Sequence, residues 1–250
     1  ALSSPPRVSR VSTAGEALVE MSARRFDMVI TMARLSDMTP AEFGGRAKEL
    51  QPGIRVIMLI TEPGDIPHYN TPGKGGPIDK IFYWSGDAAL FLAITKYVED
   101  MANAEADVAS GLVKVIIVVE DSPRFYSVFL PTLYAEIMRQ MNALISEGLN
   151  EADKVLRRRS RPKILLAETY EEGMSLYKKY RGNILGVITD VVYPRDGVNE
   201  VGAGLRFVES IERGLPVIIQ SSKPEHRARA EQLGARFLDK NSDTLLEDLR

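Results

Sequence analysis

Short apolar runs alternate with longer amphipathic segments in the second half of the chain. The runs are continuously apolar and rich in β-branched residues, which is typical of strands buried on both faces. They read "KVIIVVED", "KILLA", "ILGVITD", "LPVIIQSS" and "ARFLDK". The segments between them, such as "TYEEGMSLYKKY" and "GAGLRFVESIER", have apolar residues at helical spacing. Five strands that alternate with helices predict an α/β fold, with a five-stranded parallel sheet and helices on both faces.

The first half of the chain repeats this pattern weakly and in the same order. "MVITM" from Met28 resembles "GVITD" from Gly186, and "VIMLITEP" from Val56 resembles "VIIQSSKP" from Val217. "PPRVSRVSTAGEAL" likewise resembles "RPKILLAETYEEGM". Several matches in one order indicate that the chain contains two copies of one unit.

The repeat predicts two tandem domains, residues 1–106 and 112–250. The first copy lacks a counterpart of the first strand and first helix of the second copy. That strand would be central in the sheet, and a sheet without it would expose two long edges. We therefore expect the natural protein to have further residues upstream.

Polar residues stand at the ends of four predicted strands of the second copy. Glu120 and Asp121 follow the first strand, Asp190 ends the third, Ser221 the fourth and Lys240 the fifth. The carboxyl ends of parallel strands meet at one edge of a sheet. We therefore expect three carboxylates, one hydroxyl and one ammonium to converge there.

These positions and their strand context resemble the site of response-regulator receiver domains. That family has an acidic pair after strand one, an aspartate after strand three with proline four residues on, Ser or Thr after strand four, and lysine after strand five. Here the proline is Pro194, four residues after Asp190. Two features depart from the family: Asn241 follows Lys240 where proline is usual, and the "PRDG" loop is one residue shorter. The resemblance implies two tandem flavodoxin-like receiver domains.

The resemblance also implies a function in phosphorelay signalling, with Mg²⁺-dependent acceptance of a phosphoryl group from a sensor histidine kinase. A carboxylate can attack a phosphoryl group, and Mg²⁺ removes the repulsion between the two anions. The implied catalytic residues are Asp190, Lys240 and Ser221. The implied Mg²⁺ ligands are Glu120, Asp121, Asp190 and the backbone carbonyl of Val192. The implied switch residues are Ser221 and Phe237. On this view the chain is a regulatory module and not an enzyme, and its output domain or partner protein lies outside it.

The first copy lacks the reacting groups. It has Met32, Ile60 and Trp84 where the repeat puts the nucleophile, the hydroxyl and the ammonium. No nucleophile, hydroxyl or ammonium remains at these positions. The first copy therefore resembles a degenerate receiver that keeps the fold without the site.

A long amphipathic segment follows the first strand of the second copy. Apolar residues at helical spacing predict a helix over residues 123–160, about 50 Å long at 1.5 Å per residue. Its apolar stripe must be buried, and we expect it to form a homodimer or an interdomain contact. We interpret the basic end, Arg157–Arg161, as a complement to the negative end of the helix dipole.

Composition and charge exclude several classes of function. The chain of 250 residues has no cysteine and two histidines, which excludes disulfides, thiolate metal sites and histidine-rich metal sites. Its net charge of −2 gives no sign of a nucleic-acid or membrane partner. No apolar run approaches the roughly 18 residues of a transmembrane helix. We therefore expect a cytoplasmic protein.

Two other functions remain open. A haloacid-dehalogenase-like phosphatase also forms an aspartyl phosphate, but it needs a second aspartate two residues after the first, where this chain has Val192. Alternatively, both copies are unphosphorylated structural or interaction arms of a larger enzyme. "RPKILLAETYEEG" and "FLDKNS" resemble receiver-like segments that precede pyruvate phosphate dikinase-like domains.

Overall fold

The structure, a computed structural model, describes residues 6–69, 76–111, 113–146 and 161–248. The chain divides into two compact units, Ala1–Ala88 and Ala89–Arg250. The sequence pattern puts the domain boundary between residues 106 and 112, whereas this division assigns the whole preceding helix to the second unit. No helix among the described residues is long and apolar enough to cross a membrane.

The first unit contains a three-stranded parallel sheet with strands in chain order. Its strands are β1 (Met28–Met32), β2 (Arg55–Ile60) and β3 (Lys80–Tyr83). Its helices are α1 (Ala14–Ala23), α2 (Pro40–Leu50) and the short α3 (Ile66–Tyr69). Thr13 and Thr39 fix the starts of α1 and α2, because each hydroxyl accepts a backbone N–H of the first turn. Phe43 and Val56 belong to the buried core of this unit.

The second unit contains a five-stranded parallel sheet, as the alternating pattern predicts. Its helices are α4 (Ala89–Ala109), α5 (Pro123–Ser146), α6 (Tyr170–Tyr180), α7 (Ala203–Ser210), α8 (Arg227–Gln232) and α9 (Leu245–Asp248). Its parallel strands are β4 (Val115–Val119), β5 (Lys163–Ala167), β6 (Ile184–Asp190), β9 (Val217–Ser221) and β10 (Arg236–Asp239). A separate antiparallel pair, β7 (Val192–Arg195) and β8 (Val198–Val201), lies between β6 and α7 in the chain.

The spatial order of the five parallel strands is β10-β9-β6-β4-β5. Counted along the chain within this sheet, that order is 2-1-3-4-5, read from the β5 edge. The winding reverses at β4, and in such sheets the crevice at the reversal lies outside the carboxyl ends of the strands. The site is therefore expected where β4 and β6 end, next to each other.

Helices cover the sheet on both faces. Side chains of α6, α7 and α8 form one core with alternate strand residues, among them Ile117, Val187 and Ile219. On α5, the Phe125 ring centroid is 4.1 Å from the ammonium of Lys240, the residue that follows β10. The apolar packing holds the strand ends in register, so the polar residues that follow them are fixed relative to one another.

The segment after Pro6, which the repeat matches to strand β5, forms no strand, since residues 7–12 are neither helical nor extended in a sheet. In the second unit the equivalent strand, β5, pairs only with β4. The described part of the first unit has no strand in the position of β4. Without that neighbour the segment lacks the hydrogen-bonding partner that a strand requires.

The "PRDG" segment forms a hairpin turn and not a longer loop. Asp196 and Gly197 have φ values of 51° and 79°, which is the left-handed pair of a two-residue hairpin connection. The hairpin is anchored at its base, where Tyr193 is fully buried and its hydroxyl lies 3.1 Å from that of Thr189. At its tip, the Asp196 amide donates to Glu171 of α6.

The predicted long helix is present as α5 up to Ser146, and the remainder of the prediction, residues 147–160, lies outside the described residues. Within the second unit α5 packs against α4, and Tyr134 of α5 donates to Asp100 of α4 at 3.1 Å. This contact accounts for part of its apolar stripe. The homodimer through this helix stays a prediction.

Asp100 of α4 lies against the edge of the sheet that is formed by β5. Its carboxylate accepts the backbone N–H of Ile164 on edge strand β5 at 2.9 Å. Arg161 also pairs with Asp100, while the rest of the basic end, residues 157–160, lies outside the described residues, so its interaction with the helix dipole stays a prediction. Lys163 lies 3.6 Å from the same carboxylate. Because an unpaired strand edge invites pairing with another chain, α4 protects β5 from such pairing.

We expect Arg161→Met to lower the free energy of unfolding by about 3 kcal/mol, because it leaves the fully buried Asp100 carboxylate with the more distant Lys163 as its one cationic partner among the described residues. Urea unfolding followed by circular dichroism measures the change. Arg181→Met is the matched control, since both side chains of its pair with Glu212 are exposed, and it should cost less than about 0.5 kcal/mol. Equal effects of the two substitutions would contradict the role of Arg161.

Candidate functional site

Four polar side chains meet at the carboxyl ends of four adjacent strands. They are Glu120 after β4, Asp190 at the end of β6, Gln220 in β9 and Lys240 after β10. Asp190 and Gln220 are register partners on neighbouring strands, so their side chains leave the sheet on the same side. Asp121 continues the chain directly after Glu120. The structure thus brings together four of the residues that the sequence predicts, and adds Gln220.

The Lys240 ammonium lies between two carboxylates. It is 2.6 Å from Glu120 Oε2 and 2.8 Å from Asp190 Oδ2. The Phe125 ring covers it, and only 2% of the lysine side chain is exposed. One ammonium faces three acidic side chains, so Lys240 can match only one of the three negative charges that they carry when all are ionised.

Glu120 is fully buried and has hydrogen-bond donors on both oxygens. Its Oε1 accepts the backbone N–H of Ser122, and its Oε2 accepts from Gln220 Nε2, both at 3.1 Å, beside the Lys240 ammonium. Burial raises the pKa of Glu120 to about 8, against the lowering effect of Lys240. The three donors favour the ionised form, and burial opposes it.

Asp190 is held at one oxygen and open at the surface of the site. Its Oδ1 accepts the N–H of Val191 at 2.7 Å, and 14% of its side chain is exposed. Its backbone is fixed by α7, since a Cβ on Gly204 would lie 1.8 Å from the Asp190 carbonyl oxygen. Gly202 and Gly204 both donate N–H groups to the Val191 carbonyl. Only glycine at position 204 allows the helix to approach Asp190 this closely.

Asp121 completes a cluster of oxygen ligands. One carboxylate oxygen from each of Glu120, Asp121 and Asp190 lies within 4.8 Å of the others. Burial, and then the charge of Asp190, raise the pKa of Asp121 to about 6. Carboxylate oxygens are the ligands that hard divalent cations prefer, so these three residues fit Mg²⁺ by donor type and proximity.

The other predicted site residues lie at the rim or in the core. Ser221 is 3% exposed, and its hydroxyl accepts the N–H of Lys223 at 3.1 Å. Among the described hydrogen bonds none joins Ser221 to Asp190. Phe237 is buried in the core, where the Arg227 guanidinium lies 4.7 Å from its ring centroid. Val192 begins the hairpin strand β7, opposite Val201. The metal role of the Val192 carbonyl stays a prediction.

Sequence reasoning missed Gln220 and Phe125. Gln220 interrupts the apolar run of "VIIQS" one residue before the strand end, and this break in the pattern could have identified it. Phe125 carries no such signal, because an aromatic residue early in a helix is ordinary core material. Its position over Lys240 depends on how α5 packs on the sheet.

In the first unit the three corresponding positions lack a reacting group. Met32 is 36% exposed and Ile60 is fully buried. Among the described residues, the cluster of Glu120, Asp121 and Asp190 is the one group of three such side chains that could hold a metal ion. The first unit therefore offers no equivalent of the site in its described residues.

Comparison with known protein families finds no model that matches this chain, and no curated protein matches it either.

We expect Asp121→Asn to stabilise the metal-free protein at neutral pH. The folded pKa of about 6 exceeds the ordinary value of 3.8, so the folded state binds this proton more tightly than the unfolded state. The contribution of Asp121 to the free energy of unfolding therefore falls as pH rises from about 4 to about 6. The variant should be more stable by about 1–2 kcal/mol at pH 7.5, where partial solvation reduces the effect.

Thermal unfolding in a chelator, at pH 4.5 and pH 7.5, measures the change. The advantage of Asp121→Asn should be small at the lower pH. Added Mg²⁺ should stabilise the parent more than the variant, which has lost a ligand. An advantage of the same size at both pH values would contradict the assigned pKa.

Proposed function

We propose that residues 112–250 form a response-regulator receiver domain that accepts a phosphoryl group on Asp190, with Mg²⁺ as cofactor. The observation that carries the proposal is the position of Asp190. Its partly exposed carboxylate lies between a buried ammonium and an acidic pair at the strand ends.

The topology supports the same proposal. The order 2-1-3-4-5 of parallel strands, with helices on both faces, is that of flavodoxin-like sheets, whose ligands bind at the reversal of strand order. Here Glu120 follows β4 and Asp190 ends β6, and these are the two neighbouring strands at the reversal. We propose that the first unit is a degenerate relative of the second, with a partial sheet and no phosphoacceptor.

Asp190 acts as the nucleophile. A carboxylate oxygen attacks the phosphorus of the donor, and a new O–P bond forms as the bond to the leaving group breaks. From a phosphohistidine the imidazole leaves with the electron pair and takes up a proton, whereas from acetyl phosphate the leaving group is acetate. Lys240, which pairs with Asp190 before the reaction, then pairs with a phosphoryl oxygen and neutralises part of its charge.

Mg²⁺ would be held by Glu120, Asp121 and Asp190, with the Val192 carbonyl as a further ligand. When bound, the cation supplies positive charge that offsets the repulsion between the carboxylate and the phosphoryl group. Glu120 and Asp121 contribute by their fixed positions, because they are the first two residues after β4, which is paired with a strand on each side.

Ser221 and Phe237 form the proposed switch. Ser221 reaches a phosphoryl oxygen if its loop moves toward Asp190 and its hydroxyl releases the Lys223 amide. Phe237 already lies in the core, so its inward position has little further packing to gain. The partners are a sensor histidine kinase as donor and an output domain or protein that reads the switched surface.

A hydrolase is less consistent with the site. Aspartyl-phosphate phosphatases need a general acid two residues after the nucleophile, and Val192 has no proton to give. A purely structural module, as in the arm of a pyruvate phosphate dikinase-like enzyme, would not require three clustered carboxylates around one lysine. Such a role in a larger enzyme is compatible with phosphorylation.

We expect the parent chain to gain one phosphoryl group when it is incubated with acetyl phosphate and Mg²⁺, measured as intact mass. Asp190→Asn should abolish the gain, because an amide is a poor nucleophile. Asp196→Asn is the matched control: it removes an exposed aspartate of the nearby hairpin turn and should leave phosphorylation unchanged. A phosphoryl adduct that persists in Asp190→Asn would overturn the proposal.

A further inference from the structure

Gln220 occupies a position in the site that no role so far explains. It is fully buried, and its Nε2 donates to Glu120 Oε2 at 3.1 Å. It stands on β9 directly before Ser221, and its register partner on β6 is Asp190. Gln220 therefore contacts the acidic pair from the strand that carries the proposed switch hydroxyl.

The other end of this amide has no partner among the residues that the structure describes. Gln220 Oε1 is buried, and none of these residues donates a hydrogen bond to it. A buried acceptor without a donor costs about 1–3 kcal/mol. The reversed amide orientation would place Oε1 against an oxygen of Glu120, and the ionised form of that carboxylate, which a cation would bind, would lose a donor. A leucine or methionine would avoid this cost among the neighbouring apolar residues, so the amide is unfavourable for packing alone.

We infer that Gln220 is a positioning residue of the cation site, which orients the Glu120 carboxylate through Nε2. This inference rests on the proposed function and names a further residue in the same site. Hydrogen bonds to a ligating carboxylate fix its orientation, and their loss weakens metal binding.

The need for a second donor follows from the behaviour of Lys240. In the resting site the ammonium contacts both Glu120 and Asp190. When Asp190 is phosphorylated, Lys240 turns to the phosphoryl oxygen, and its hold on Glu120 weakens. Gln220 then keeps Glu120 Oε2 in place, together with the Ser122 amide on Oε1. Because Ser221 directly follows Gln220 in the chain, a movement of the switch loop is transmitted through Gln220 to Glu120.

Gln220→Met removes both the N–H donors and the carbonyl oxygen of the side-chain amide and keeps the length of the side chain. We expect it to bind Mg²⁺ about tenfold more weakly than the parent in isothermal titration calorimetry. Its thermal stability in a chelator should be equal to or higher than that of the parent, since the unpartnered oxygen is gone. A residue with only a structural role would give the opposite pair of results, with lower metal-free stability and an unchanged Mg²⁺ affinity.

Gln232→Met is the matched control, because Gln232 is an exposed glutamine of α8, and it should change neither quantity. Gln220→Leu is the second apolar variant and should behave as Gln220→Met does, with circular dichroism to check that both fold. If the parent binds Mg²⁺ and both Gln220 variants bind it equally well, the role of Gln220 is overturned while the cation site stands. If the parent does not bind Mg²⁺, the cation site fails and the role of Gln220 fails with it.

Discussion

The site depends on one ammonium that is shared by two carboxylates. Lys240 lies 2.6 Å from Glu120 and 2.8 Å from Asp190, and both partners would be costly to bury without it. The lysine ties β10 at one edge of the sheet to β4 near the other, across the strands between them. One ammonium cannot match three ionised carboxylates, and the two negative charges that remain are those that a divalent cation would balance.

The sheet makes this arrangement possible. Its parallel strands end at one edge, and the apolar cores hold those ends in register. At the edge strand β5, Asp100 of α4 accepts the backbone N–H of Ile164, which has no strand partner, and so helps to block this edge of the sheet. Gly204 lets α7 approach the backbone of Asp190. Each feature fixes a strand end whose side chain reaches the site.

The apolar runs suffice to predict the five strands and the convergence of Glu120, Asp190 and Lys240, because burial and parallel pairing dictate both. The hairpin escaped prediction although "DG" is a strong turn signal, since its strands have four residues each and include Pro194. The packing of α4 and the contacts of Gln220 are tertiary, and local periodicity carries no information on them.

The most direct test of the account is to locate the phosphoryl group by chemistry. Borohydride reduces an aspartyl phosphate to homoserine, which peptide mass spectrometry can assign to a single residue. After incubation with acetyl phosphate and Mg²⁺, the account predicts homoserine at position 190 and at no other aspartate, and none when Mg²⁺ is withheld. Homoserine at another aspartate, with Asp190 unmodified, would contradict it.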